Sequence, residues 1–257
     1  QHEFAPLDGC IRTDLLGARV VIWTTTPWTI PQNRAVAFGP GIAYGLYEVT
    51  GRPEASMARI GGTYLLADRL ADETFRAAKL EPGMYRRLRD VPADELASLV
   101  LAHPYRGIEG GSGEWDGDIP MLPGDHVTED AGTGFVHTAP SHGDDDYQLA
   151  LKHGLKMTHN VLPDGSYRAD LPVFGGQAIL TADGKEGPAN VSNIKALAVQ
   201  GALLAKGKLK HSYPHSWRSK APLIYRNTPQ WFAAIDKPLA DGMDAHGDTI
   251  RARALAS

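Results

Sequence analysis

The chain has a single cysteine, Cys10, in 257 residues. One thiol cannot build an internal disulfide framework, so the core must hold itself together without cross-links, as in a reducing cytosol. No apolar run approaches the roughly 18–20 residues needed to span a bilayer. The first residues, Gln1-His2-Glu3-Phe4-Ala5-Pro6, lack the charged-then-apolar order of a secretory signal. These absences point to a cytoplasmic chain without a membrane partner. A hydrophobic fraction of 42% against 22% charged residues is ordinary for a globular protein. The length suits one large domain or two small ones.

Carboxylates are missing from one long stretch. Between Gly187 and Ile235 there is no Asp or Glu, while Lys195, Lys206, Lys208, Lys210, Arg218, Lys220 and Arg226 give it a charge of +7. The residues before it carry 26 acids against 16 Lys/Arg, and the net charge of −4 hides this asymmetry. A basic, acid-free segment can attract a polyphosphate backbone. It can equally be a solvated face.

Short β-branched or aromatic runs at Arg19–Thr25, Arg34–Phe38, Ala43–Val49 and Ser56–Ile60 read as strands separated by Gly and Pro. Leu65, Leu66, Leu70 and Phe75 space a helix over Tyr64–Ala78. Pro92-Ala93-Asp94-Glu95 opens another, with acids where the helix dipole favours them. Asp144–His153 and Val191–Lys206 are two more, the latter ending in a basic turn, and Ile108–Gly124 is a Gly- and Pro-containing loop. Irregular mixing of strands and helices argues against a doubly wound sheet. The expected fold is mixed α/β, predominantly β, a compact barrel-like body with peripheral helices. Residues 1–235 would form one domain, its basic return segment being 187–235, followed by a polar tail at 236–257. The Gly-rich stretch Asp241–Asp248 is expected to be poorly ordered.

Two segments carry the candidate chemistry. In Val21-Ile22-Trp23-Thr24-Thr25-Thr26-Pro27-Trp28-Thr29-Ile30-Pro31-Gln32-Asn33, an apolar run ends in three stiff hydroxyl side chains before a proline. In Gly132-Thr133-Gly134-Phe135-Val136-His137-Thr138-Ala139-Pro140-Ser141-His142-Gly143-Asp144-Asp145-Asp146-Tyr147, two histidines precede an acidic helix start. His137, His142 and Asp146 are a possible metal set, though Pro140 and Gly143 break the helical spacing of a zinc motif. No nucleophile elbow occurs. What remains is hydrolysis by a positioned water, with hydroxyls and a carboxylate orienting the reactants. From the residues alone, His137 could be a packed core histidine, and Asp146 one more first-turn helix acid.

Together the two segments resemble the editing domain inserted into class I aminoacyl-tRNA synthetases for branched aliphatic amino acids. Trp28, and His137 before Thr-Ala-Pro, resemble the isoleucyl members. A third block, Tyr213-Pro214-His215-Ser216-Trp217-Arg218 through Thr228-Pro229-Gln230-Trp231-Phe232, resembles the return from that insertion. Relatives often carry cysteine where Ser216 stands.

The resemblance implies the following. The chain would hydrolyse valine esterified to the isoleucine tRNA, with valyl-adenylate as a second candidate, by a positioned water. The parent enzyme would charge the tRNA with isoleucine using ATP. Thr24, Thr25 and Thr26 would serve the carbonyl, ribose or water; Asp146 would bind the α-ammonium group; His137 would limit the side-chain pocket. Trp28 and Asn33 would shape the wall, or be structural. Lys206, Lys208, Lys210, Arg218 and Lys220 would face tRNA. Editing would need no cofactor. ATP and Mg2+ would belong to the synthetic site, whose His-Ile-Gly-His and Lys-Met-Ser-Lys-Ser signatures are absent from the sequence. A monomer is expected. The rivals are a metal-dependent hydrolase built on His137, His142 and Asp146, and a non-catalytic tRNA-binding module.

Overall fold

A computed structural model describes residues 13–209, 212–239 and 249–257. Two compact units divide at Arg226 and Asn227. In the first unit, eight strands form two four-stranded sheets. One sheet has the order β1(Arg19–Val20), β4(Thr63–Ala67), β3(Tyr44–Val49), β5(Tyr85–Asp90). The other has β6(Val100–Ala102), β7(Asp118–Pro123), β2(Ala35–Phe38), β8(Phe135–Thr138). Each is mixed: β1 runs parallel to β4 and β2 parallel to β7, and the remaining pairs are antiparallel. Four α-helices accompany them, α1(Asp68–Ala77), α2(Ala93–Ala97), α3(Asp144–His153) and α4(Pro188–Val199). The second unit contains α5(Ile250–Ala256), whose first turn is capped by Thr249, and an Arg251–Asp236 ion pair.

The α/β mixture is as expected, and strands outnumber α-helices eight to five among the described residues. The barrel is not. Both sheets are open. The run expected to be a strand over Arg19–Thr25 is one only at Arg19–Val20, and the chain enters a 3-10 helix at Pro27–Gln32. Proline at that helix start gives up an N–H that the first turn could not use.

The main core lies where both sheets contribute. Val36, Phe38, Met121 and Phe135 from one sheet meet Tyr44, Leu46 and Leu65 from the other. A second cluster covers the opposite face of the first sheet, where Leu66 and Tyr64 meet Phe75 of α1. This explains one difference from expectation. Thr63–Ala67 is a strand, not the start of a helix, because Leu65 and Leu66 point into different cores. A strand buried on both faces loses its alternation and imitates helical spacing.

Other boundaries also move. Ser56–Ile60 is turn and coil, its Ser56 hydroxyl committed to the Ala78 carbonyl at 2.6 Å. The supposed loop Ile108–Gly124 contains β7, which keeps Ile119 and Met121 buried despite two prolines. Helix α4 stops at Val199, before Gly201 adopts φ +61°, so its last turn carries no basic residue. Lys206, Lys208 and Lys220 beyond it lie on irregular chain. Residues 240–248, and with them most of the Gly-rich tail, lie outside the described residues, as do Cys10 and Lys210. No helix among the described residues is long and apolar enough to cross a membrane.

Candidate functional site

The threonine run is fixed by its own hydroxyls. Thr24 Oγ1 accepts the Thr26 N–H at 3.0 Å and lies 3.3 Å from Thr26 Oγ1, a local turn of the kind Thr side chains favour. Thr24 and Thr26 are half-buried, and Thr25 is exposed. The 3-10 helix that follows is buried from Trp28 through Gln32. Its backbone is held at Trp28, whose N–H donates to Asn190 Oδ1 of α4 at 3.0 Å and whose carbonyl accepts the Tyr167 hydroxyl. Trp28 thus belongs to an apolar cluster with Tyr105, Trp115, Tyr167 and Phe174.

The second motif reaches the same place from the other side. Gly132 and Gly134 have φ of +86° and +80°, and a Cβ at Gly134 would lie 2.3 Å from the Ala67 Cβ. Only glycine fits there. The Ala67 N–H donates to the Thr133 carbonyl and the Tyr44 hydroxyl to the Gly134 carbonyl, which stitches the turn to the first sheet. Strand β8 then pairs with β2, placing His137 opposite Val36.

His137 Nε2 lies 2.9 Å from Thr29 Oγ1. That hydroxyl also donates to the Thr26 carbonyl at 2.9 Å. A hydroxyl has one proton, so Thr29 accepts from the ring and Nε2 carries the hydrogen. Nδ1 is left as a buried lone pair without a partner among the described residues. Burial, aided by the neighbouring His142, lowers the His137 pKa to about 4.

His142 shows the mirror arrangement. Its Nδ1 lies 2.8 Å from the Tyr225 carbonyl, which can only accept, so the bare and buried nitrogen is Nε2. The ring meets Trp28 edge-on at 4.9 Å between centroids. Burial lowers its pKa to about 4 as well, against the pull of the Tyr225 carbonyl.

Asp146 stands in the first turn of α3 beside the exposed Asp144 and Asp145. It does more than face the helix dipole. Its Oδ2 accepts the N–H of Ala139 at 2.9 Å, clasping the turn between β8 and α3. Burial raises its pKa, opposed by the Ala139 bond and by His126.

Thr24, Thr26, Thr29 and His137 are therefore joined by hydrogen bonds about the end of β8 and the 3-10 helix; Asp146 holds the Ala139 N–H just beyond that strand, and Trp28 meets the second motif through the His142 ring. Asn33 is buried, and its Oδ1 has no partner among the described residues. Lys206, Lys208, Arg218 and Lys220 are exposed on the segment after α4, Arg218 stacking on Trp217 at 4.9 Å. Sequence reasoning gave Thr29 no role, and His142 only a place in the rival metal set, although both lie inside the quoted motifs; a hydroxyl three residues after Thr26 was the available signal. For that metal set, each member already has a protein partner on one atom, and no group of three His, Cys, Asp or Glu among the described residues is placed to hold an ion.

Known proteins settle the family. The isoleucine–tRNA ligase of Ruegeria pomeroyi is 57% identical over 247 residues, covering 95% of this chain and 25% of that protein. That of Bradyrhizobium diazoefficiens is 49% identical over 251 residues, covering 94% and 25%. The chain belongs to the isoleucine–tRNA ligase family. It spans about a quarter of the length of these ligases. No protein-family model matches it. Among solved structures, the cytosolic leucyl-tRNA synthetase editing domain of P. knowlesi overlaps 55% of this chain and 54% of its own, with 15% identity and a TM-score of 0.40. That overlap is partial, and membership of the ligase family rests on the sequence relatives.

Proposed function

We propose that this segment of an isoleucine–tRNA ligase is its editing domain and removes valine from mischarged isoleucine tRNA. The need is set by binding energy. One methylene in an apolar pocket gives only about 1–3 kcal/mol of discrimination, isoleucine against valine at this class of ligase being the standard illustration. A second, hydrolytic site that admits the smaller product makes up the difference.

The observation that carries the reading is the junction of the two motifs. A threonine hydroxyl array, two histidines held neutral by burial and a half-buried carboxylate meet around one strand end. In the proposed reaction a water oxygen attacks the ester carbonyl carbon. The bond from that carbon to the terminal ribose oxygen breaks, the ribose oxygen takes up a proton, and free valine leaves. Asp146 pairs with the α-ammonium group through a charge-assisted hydrogen bond and so orients the ester. Hydroxyls of Thr24 and Thr26 are within one array to steady the carbonyl oxygen as charge develops. Valyl-adenylate is a second substrate of the same acyl class. The exposed lysines and arginine after α4 would contact phosphates of the tRNA acceptor end, with the chain acting as a monomer. ATP and Mg2+ would serve synthesis elsewhere in the parent ligase.

The test is direct. Incubated with valyl- and isoleucyl-charged isoleucine tRNA, the chain is expected to release valine far faster than isoleucine. Binding of tRNA without release of either amino acid would instead establish a binding module. Hydrolysis abolished by chelation and restored by zinc or manganese would establish the metal hydrolase.

A further inference from the structure

His137 has one ring nitrogen engaged and one bare, and the engaged one is decided by a side chain outside the threonine triplet. The hydrogen-bond chain runs in one direction. His137 Nε2–H donates to Thr29 Oγ1, and the Thr29 hydroxyl donates to the Thr26 carbonyl, each at 2.9 Å. Thr29 is itself buried, at 5% exposure, in the 3-10 helix. Its N–H also bonds the Thr26 carbonyl at 2.9 Å, so backbone and side chain are fixed to the same acceptor. A β-branched side chain in that setting has little rotamer freedom. Were the hydroxyl to turn its proton toward Nε2, it would forfeit the Thr26 carbonyl and place a hydrogen on Nδ1, which has no acceptor among the described residues. The reverse tautomer is thus disfavoured twice.

From this geometry we infer that Thr29 is a positioning residue for editing: it locks His137 as the Nε2–H tautomer and turns the Nδ1 lone pair toward a hydrogen-bond donor of the bound ester or its attacking water. The inference rests on the editing reading for its functional half. Its structural half, the tautomer, stands apart. The partner of one imidazole nitrogen commonly decides the role of the other. Holding a catalytic imidazole in the wrong tautomer can cost up to about 10,000-fold in rate. Thr29 would act through His137 without touching substrate.

Side-chain nitrogen NMR of the histidine-labelled chain tests this, with the His137 signals assigned from a His137→Gln sample. Wild type is expected to show His137 protonated at Nε2 and bare at Nδ1. Thr29→Val, which matches the shape but removes the hydroxyl, should give a mixed tautomer population and slow valyl-tRNA deacylation by roughly tenfold or more. Thr29→Ser keeps the hydroxyl and should restore both the single tautomer and most of the rate. A wild-type Nδ1–H tautomer would overturn the inference. So would a folded Thr29→Val chain that keeps the Nε2–H form at the native rate, or one that loses the tautomer with no change in rate. If Thr29→Val does not fold, the wild-type spectrum and the Thr29→Ser rate still decide. A wild-type chain with the expected tautomer and no deacylation would defeat the editing reading and leave the tautomer lock standing.

Discussion

Replacing Asp146 separates two jobs of one carboxylate, one seen in the structure and one proposed. Its Oδ2 holds the N–H of Ala139, a residue 1% exposed, and its charge is the proposed partner of the substrate ammonium. Asp146→Ala removes both. Leaving that buried N–H without a partner costs about 1–3 kcal/mol. Part of this is offset because the carboxylate is itself partly desolvated, as its raised pKa records. A net loss of about 1–2 kcal/mol is expected, larger than the value of a solvated first-turn acid acting on the dipole alone, about 0.3–1 kcal/mol. Asp146→Asn keeps an amide oxygen for Ala139 and removes only the charge, so its stability should fall by less than about 1 kcal/mol. Its deacylation rate should fall nearly as far as that of the alanine variant. A hydrogen bond to a charged group contributes about 1.5–3 kcal/mol, roughly a 10- to 150-fold change in rate. Urea unfolding followed by circular dichroism reads the first quantity, and release of valine from charged isoleucine tRNA reads the second. An Asp146→Asn chain that edits at the native rate would refute the ammonium role and leave Asp146 as a clasp for the β8–α3 turn. The alanine variant by itself could not make that distinction.

His137→Ala should open the side-chain pocket and raise isoleucyl-tRNA hydrolysis relative to valyl-tRNA hydrolysis; an unchanged ratio in a folded variant would remove His137 as the size limit. Replacing Lys206, Lys208 and Lys210 with Ala should weaken tRNA binding and flatten the plot of log K against log salt by about 0.7–0.9 for each phosphate no longer neutralised, whereas an unchanged slope would make these lysines a solvated face. Acid should destabilise the fold. His103, His137 and His142 have folded pKa values lowered by burial to about 3, 4 and 4. Their unfolded forms take up protons near pH 6.5 while the folded ones do not. Stability is therefore complete above about pH 6.5 and falls toward pH 4, by up to about 1.4 kcal/mol per histidine per pH unit. Asp146, with its pKa raised, works in the opposite direction and offsets part of that loss. Urea midpoints that stay constant from pH 7 to pH 4.5 would contradict the buried neutral assignment.

The sequence resolved motifs better than it resolved sheets. Helix α3 occurs over the expected Asp144–His153 because its start is acidic, its end is basic and Gly154 closes it at φ +65°. Strands β2 and β3 fall within a residue of expectation, being short apolar runs bounded by Gly and Pro. Strand β7 escaped because Pro120 and Pro123 read as loop residues, and β4 because burial on both faces erased its period. Sheet closure depends on where strands end in space, which local pattern does not encode. At the site, the triplet Thr24–Thr26, His137 and Asp146 were legible as types. That the network passes through Thr29, and that His142 donates to the carbonyl of Tyr225, 83 residues later, was not. Those are contacts between elements, fixed by packing rather than by any spacing along the chain.

The electrostatics of the site also constrain what it can hold. The substrate proposed for Asp146 would bring a positive ammonium group, and two histidines lie on the same motif. Protonated, they would repel that group and compete for the same carboxylate. Burial lowers both to about 4, so at pH 7 the rings are neutral. In the neutral state each presents a lone pair, His137 at Nδ1 and His142 at Nε2, and neither atom has a partner among the described residues. An ammonium group has three donors and no acceptor. Acceptors that stay neutral at physiological pH, on the same motif as the Asp146 carboxylate, would suit such a ligand better than an anionic one. The same burial that makes these histidines look like core residues is what would let them tolerate a cationic ligand on this motif.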